Sequence, residues 1–181
     1  GEVLRRLAAL ERPPVVLVHG LWSNAADAWI NSGFKTFLNS HGFEVELASY
    51  GCFPKSFDWS CAETFNATLP TNKNKPVSAV RDAVLAAQAL SRKRGVAVTQ
   101  VDVIGHSMGG LATRAYIARP DYKQQTNFKA GDIHKLITIG TPHLGSKLAQ
   151  FLADHQDDLV GTYTARDLMR GIDMPIDTGA V

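Results

Sequence analysis

Six residues, Gly105-His106-Ser107-Met108-Gly109-Gly110, stand between a strand-forming run and a helix-forming run and leave the backbone little freedom there. The run before them, Val101-Asp102-Val103-Ile104, reads as a short strand; residues 111–118 read as a helix that ends before Pro120. A chain passing from strand to helix within so few residues must turn abruptly. Small residues two positions before and after the serine let the neighbouring backbone close in without clashing. A lone G-x-S-x-G pattern carries little weight, but between a strand and a helix it has the context that a nucleophile elbow requires. In that geometry Ser107 is lifted above the sheet edge. The new helix directs its positive end at the same point, favouring developing negative charge. The bland reading, an ordinary glycine-rich turn, accounts for the glycines but not for their flanks.

The same alternation of element types runs along the chain. Val15-Val16-Leu17-Val18 is a continuous apolar run, as expected of a strand buried on both faces of a parallel sheet. Ile30, Phe34, Phe37 and Leu38 recur at helical spacing within residues 27–41, and Gly42 follows as a stop. Residues 43–50 alternate well enough for a second strand. A long irregular segment, 51–73, carries Phe53, Phe57, Trp59 and Phe65. These aromatics could line an acyl-chain pocket or pack their own loop onto the sheet. Residues 76–94 read as a strong helix, with Val80, Val84, Ala87 and Leu90 on one side, Arg92, Lys93 and Arg94 at its negative end and Gly95 as terminator. Residues 135–139 form a fourth strand and 147–153 a fourth helix. Strand and helix therefore alternate four times, which predicts an α/β fold with a parallel sheet and helices on both faces.

Two further motifs fall at strand ends. His19-Gly20-Leu21 closes the first strand. Parallel strands share a carboxyl edge, so this loop should face the elbow. The backbone N–H groups of Leu21 and Met108 could then form a two-donor oxyanion hole, with His19 orienting the loop by hydrogen bonding; the simpler reading is a turn with a structural histidine. After the fourth strand comes Gly140-Thr141-Pro142-His143-Leu144-Gly145-Ser146. By these three motifs, over roughly residues 13–146, the chain resembles the α/β-hydrolase lipases and esterases, especially bacterial triacylglycerol lipases. The resemblance implies an α/β-hydrolase fold and Ser107 as catalytic nucleophile. It implies Leu21 and Met108 as oxyanion donors and Gly20, Gly105, His106 and Gly109 as supports of the elbow and loop. It gives His143 a structural role.

The departure from that family is equally informative. Its triad acid and histidine follow further strands in the order Ser, Asp or Glu, His. After residue 153 the sequence offers no convincing strand, and Gly161, Gly171, Pro175 and Gly179 interrupt it. The last histidine, His155, lies at a helix end, and nothing distinguishes one of the late aspartates from another. The expectation is a nucleophile-bearing domain over 1–181 without its triad acid and base, residues 154–181 forming a cap or irregular tail. Little esterase activity is expected of this chain alone.

With 181 residues, 45% hydrophobic, and a formal charge of +2, the chain suits one globular domain and lacks a polybasic nucleic-acid surface. Its apolar runs are too short to span a membrane. Cys52 and Cys61 share one turn-rich stretch. A disulfide there would suit a secreted or periplasmic protein, and two plain thiols are the alternative. The leading function is a serine hydrolase of carboxylic esters or lipids, needing neither metal nor organic cofactor. A thioesterase or acyltransferase would share the elbow, and a binding module lacking the triad is the reading from another class. An uncovered sheet edge after the fourth strand would favour self-association.

Overall fold

The computed structural model describes residues 11–21, 23–50 and 76–147. Strands β1 (Val15–Val18), β2 (Val45–Ala48), β3 (Val101–His106) and β4 (Ile133–Ile139) form one parallel sheet in the order β2-β1-β3-β4. Helices α1 (Phe34–Ser40), α2 (Pro76–Lys93) and α3 (Met108–Ile117) lie between them, with a π-helical turn at Ala26–Asn31 and a 3-10 turn at Gln125–Asn127.

The unbroken apolar run of β1 is explained by its central position. Side chains of a strand alternate between faces. Val16 and Val18 join Val101 and Val103 in a core with Val80, Val84 and Leu111 of α2 and α3. Val15 and Leu17 join Ile104 on the other face, against Trp29 and Leu38. No β1 side chain is more than 3% exposed, so neither face could carry a polar residue. Each such burial contributes about 2 kcal/mol, an upper figure because the unfolded chain is partly compact.

The expected helix over 27–41 is two pieces. Asn24 caps the first, its side-chain oxygen accepting the Asp27 N–H at 2.9 Å, and Gly33, at φ 78°, breaks the chain before α1 begins. The hydrophobic spacing runs straight through this break, so periodicity alone could not reveal it. In α2, Ala79, Val80, Ala83, Val84 and Ala87 form the buried stripe, while Leu90, expected on it, is exposed in the last turns. Its end is closed by Gly95 at φ 82°, whose N–H donates to the Arg92 carbonyl at 2.9 Å. Strand β2 is shorter than expected, and β4 begins two residues earlier. Among the described residues β4 lies at one edge of the sheet, with Ile137 and Ile139 49% and 44% exposed. Residues 148–153 of the helix predicted over 147–153, the segment 51–73 with Cys52 and Cys61, and the tail 154–181 lie outside the described residues.

Candidate active site

The corner between β3 and α3 is a single residue. Ser107 has φ 52° and ψ −124°, a conformation L-residues avoid, which costs on the order of 1–3 kcal/mol. It persists because its surroundings over-determine it. The Ser107 N–H donates to the Ile139 carbonyl at 2.8 Å, and its own carbonyl accepts the Gly110 N–H at 3.2 Å. A β-carbon on Gly105 would lie 2.7 Å from the Gly110 α-carbon, and one on Gly109 would lie 2.4 Å from the Val18 carbonyl oxygen. Both contacts are with backbone, so only glycine fits. Helix α3 begins at Met108, three residues earlier than its apolar pattern suggests, because Gly109 and Gly110 are poor helix formers recruited for close packing. The Ser107 side chain is partly exposed, while Met108 is buried.

The loop leaving β1 meets this corner on the same rim. A β-carbon on Gly20 would lie 2.8 Å from the Ser107 β-carbon. Leu21 follows immediately. Met108 is the first helical residue, so its N–H has no intrahelical acceptor. His19 is 1% exposed and stacks on Tyr50, with ring centroids 3.9 Å apart. Its Nδ1–H donates to the Gly20 carbonyl at 2.9 Å, and Nε2 has no hydrogen-bond partner among the described residues. Burial holds the His19 imidazole below its ordinary pKa, so the ring is neutral near pH 7.

The loop after β4 is locked from below. Arg114 can only donate, so its Nη1, 3.0 Å from His143 Nδ1, fixes the ring proton on Nε2; that N–H donates to Thr138 Oγ1 at 3.1 Å. Desolvation, and secondarily the Arg114 charge, hold His143 below its ordinary pKa. Both ring nitrogens are thus engaged by Arg114 and Thr138. Among the described residues no histidine hydrogen-bonds the Ser107 hydroxyl.

The His106 side chain is exposed and meets Trp29 edge-on, with centroids 6.4 Å apart. Beside it runs an apolar groove of about 470 Å³, lined by Trp29, Phe34, Phe37, His106 and Ile139. Two of these flank the corner directly: His106 precedes Ser107, and Ile139 accepts its N–H.

Comparison with known proteins gives this corner a lineage. Residues 13–153 match the family described as "Putative serine esterase (DUF676)". The chain belongs to this serine esterase family. Two curated relatives are triacylglycerol lipases, from Pseudarthrobacter phenanthrenivorans and Burkholderia plantarii. Each is 34% identical over 151 residues, which is 81% of this chain but 38% and 34% of the two lipases. The chain thus spans little more than a third of the relatives it matches. Solved structures agree on the α/β-hydrolase fold. Mature Bacillus licheniformis lipase BlEst2 superimposes with a TM-score of 0.55 at 16% identity, covering 90% of this chain and 57% of that one. Phospholipase PlaB from Legionella pneumophila gives 0.51 at 22% identity, covering 86% and 30%.

In this member of the family the three motifs predicted from sequence converge. Ser107, Gly20, Leu21, Met108 and the His143 loop gather at the carboxyl ends of β1, β3 and β4. Sequence reasoning missed Tyr50, Arg114 and Thr138. Tyr50, two residues beyond β2, comes level with Gly20 through the β1–β2 register, which the sequence does not reveal. Nothing in the sequence pairs Arg114 with a histidine 29 residues away. No helix among the described residues is long and apolar enough to cross a membrane.

Proposed function

We propose that this esterase-family chain carries the nucleophile and the oxyanion hole of a carboxylic ester hydrolase. The observation behind this reading is the strained backbone of Ser107, pressed against the glycine of the β1 loop. Ser107 Oγ attacks the ester carbonyl, forming a tetrahedral oxyanion. The N–H groups of Leu21 and Met108 donate to that oxygen, each contributing on the order of 3 kcal/mol to the transition state. Collapse expels the alcohol and leaves an acyl-Ser107 ester; water then attacks, the carboxylic acid departs, and the serine hydroxyl is regenerated. The triacylglycerol lipase relatives and the apolar groove beside His106 support an ester with a hydrocarbon portion.

The general base that takes the Ser107 proton comes from outside the described residues. His143 is bound by Arg114 and Thr138, and His19 is buried beneath the loop. Without a positioned base a serine hydroxyl is a weak nucleophile, the whole triad being worth about 10⁶-fold.

Fluorophosphonate labelling tests the reading. Ser107 should be the modified residue by peptide mass mapping, and Ser107→Ala should abolish the adduct. An adduct elsewhere, or none with a protein spanning the full length of the lipase relatives, rejects Ser107 as nucleophile. Turnover of a chromogenic ester by the 181-residue chain should be at least 10³-fold below that of such a longer protein. Robust turnover lost in His155→Ala would place the base on this chain instead.

A further inference from the structure

The Gly20–Leu21 peptide is restrained by two side chains that the chemistry above does not use. His19 reaches forward, its Nδ1–H donating to the Gly20 carbonyl at 2.9 Å. Tyr50 reaches across from the end of β2, its hydroxyl donating to the His19 carbonyl while its ring stacks on the imidazole at an interplanar angle of 25°. The register explains the meeting. Val18 pairs with Ala48, so two residues further on Gly20 and Tyr50 emerge side by side at the same rim. Both side chains are buried, at 1% and 6% exposure, and neither ring can swing out without opening the core.

The consequence follows from peptide geometry. No peptide bond here is cis, and a trans unit points its C=O and N–H in opposite directions. The bond that fixes the Gly20 carbonyl to the His19 ring therefore also fixes the direction of the Leu21 N–H. Glycine at 20 brings the loop within contact of Ser107 but leaves that peptide free to rotate. A rotation there would turn the donor away from the corner while leaving the sheet intact.

We propose that Tyr50 and His19 act as a positioning pair that aims the Leu21 N–H at the site above Ser107. The proposal rests on Leu21 being an oxyanion donor. Tyr50 holds the His19 backbone and stacks its ring, the ring holds the Gly20 carbonyl, and the carbonyl sets the amide. Neither side chain touches substrate. The uncharged state of His19 suits this task, because its one ring proton is committed to the Gly20 carbonyl.

Three variants of a protein spanning the full length of the lipase relatives test the pair: Tyr50→Phe, His19→Ala and His19→Asn. Tyr50→Phe keeps the ring and removes only the hydroxyl, and Asn at 19 retains a short side-chain donor. For a short-chain ester, kcat should fall about ten- to hundredfold in Tyr50→Phe with KM within twofold, since an oxyanion donor acts only in the transition state. His19→Ala should lose at least as much, and His19→Asn should recover part of it. A loss confined to KM, or an unchanged kcat, overturns the proposal. Hydrogen exchange at the Leu21 amide supplies a readout that needs no turnover. It should accelerate in Tyr50→Phe and His19→Ala and slow again in His19→Asn. Unchanged exchange in all three refutes the pair. If the unmodified protein neither hydrolyses esters nor labels at Ser107, the hydrolase reading fails by itself, and the amide exchange still decides whether the pair aims the peptide.

Discussion

Replacing Gly109 by alanine adds one methyl group at the tightest backbone approach in the elbow. The new β-carbon would lie 2.4 Å from the Val18 carbonyl oxygen and 2.6 Å from that of His19, where ordinary contact begins near 3.4 Å. Both obstacles are backbone atoms of the central strand and its exit loop, so the start of α3 must retreat by about 1 Å. Overpacking of this kind costs about 1–3 kcal/mol, partly offset by the roughly 1 kcal/mol that alanine gains over glycine in a helix. The net loss of about 0–2 kcal/mol corresponds to a fall in Tm of up to about 8 °C for a domain of this size. The site should suffer more than the fold. A 1 Å displacement of Met108 relative to Leu21 should slow Ser107 labelling by about 10²-fold. Gly33→Ala is the control: it meets nothing within 4 Å but forces alanine to φ 78°, costing about 1–2 kcal/mol away from the corner. Differential scanning fluorimetry and fluorophosphonate labelling rates, measured on both variants, separate the two effects. Similar Tm losses with slowed labelling only in Gly109→Ala are expected. Wild-type labelling and stability in Gly109→Ala would refute the close-packing account of the elbow.

Two further outcomes follow from the same geometry. His143 titrates below its ordinary value of about 6.5 in the folded chain, first through desolvation and then through Arg114, so the unfolded state takes up its proton first as pH falls. Its contribution to stability is complete above about pH 6.5 and is lost as pH falls through the folded value. His19, lowered by burial, acts in the same direction. Tm should therefore drop between pH 7 and 5, and less steeply in His143→Asn; equal slopes would mean that the ring does not titrate against Arg114. On β4, which has no outer neighbour strand among the described residues, Ile137 and Ile139 expose apolar surface, so the 181-residue chain should sediment above monomer mass. Ile137→Lys should restore the monomer, and a wild-type monomer at high concentration would exclude association through that edge.

The elements were legible because their signals are local. The apolar run of β1, the stripe and basic end of α2 and the glycines around Ser107 each reflect constraints acting within a few residues. The G-x-S-x-G context pointed to the corner, since the strand-forming run directly before it and the helix-forming run directly after it leave Ser107 at the turn between them. What local reading blurred were the places where packing outranked propensity. The first turn of α3 carries two glycines because Gly109 packs on the backbone of Val18 and His19 and Gly110 on the side chains of Thr138 and Thr141, and Gly33 breaks a helix whose hydrophobic spacing continues unbroken.

The order β2-β1-β3-β4 was decided only in three dimensions, and with it the functional neighbours of each motif. Parallel alternation predicts that strand ends share a rim; it does not say which strand lies beside which. That choice depends on how whole faces of side chains bury against one another. It brings Gly20 against Ser107, seats Tyr50 beside His19, and turns His143 toward Arg114 and Thr138. The sequence by itself determined that a serine would stand at a strand-to-helix corner, because that constraint is covalent and steric. The direction of the amides and rings around that serine belongs to the tertiary structure, because hydrogen bonds between distant residues exist only once the sheet has assembled.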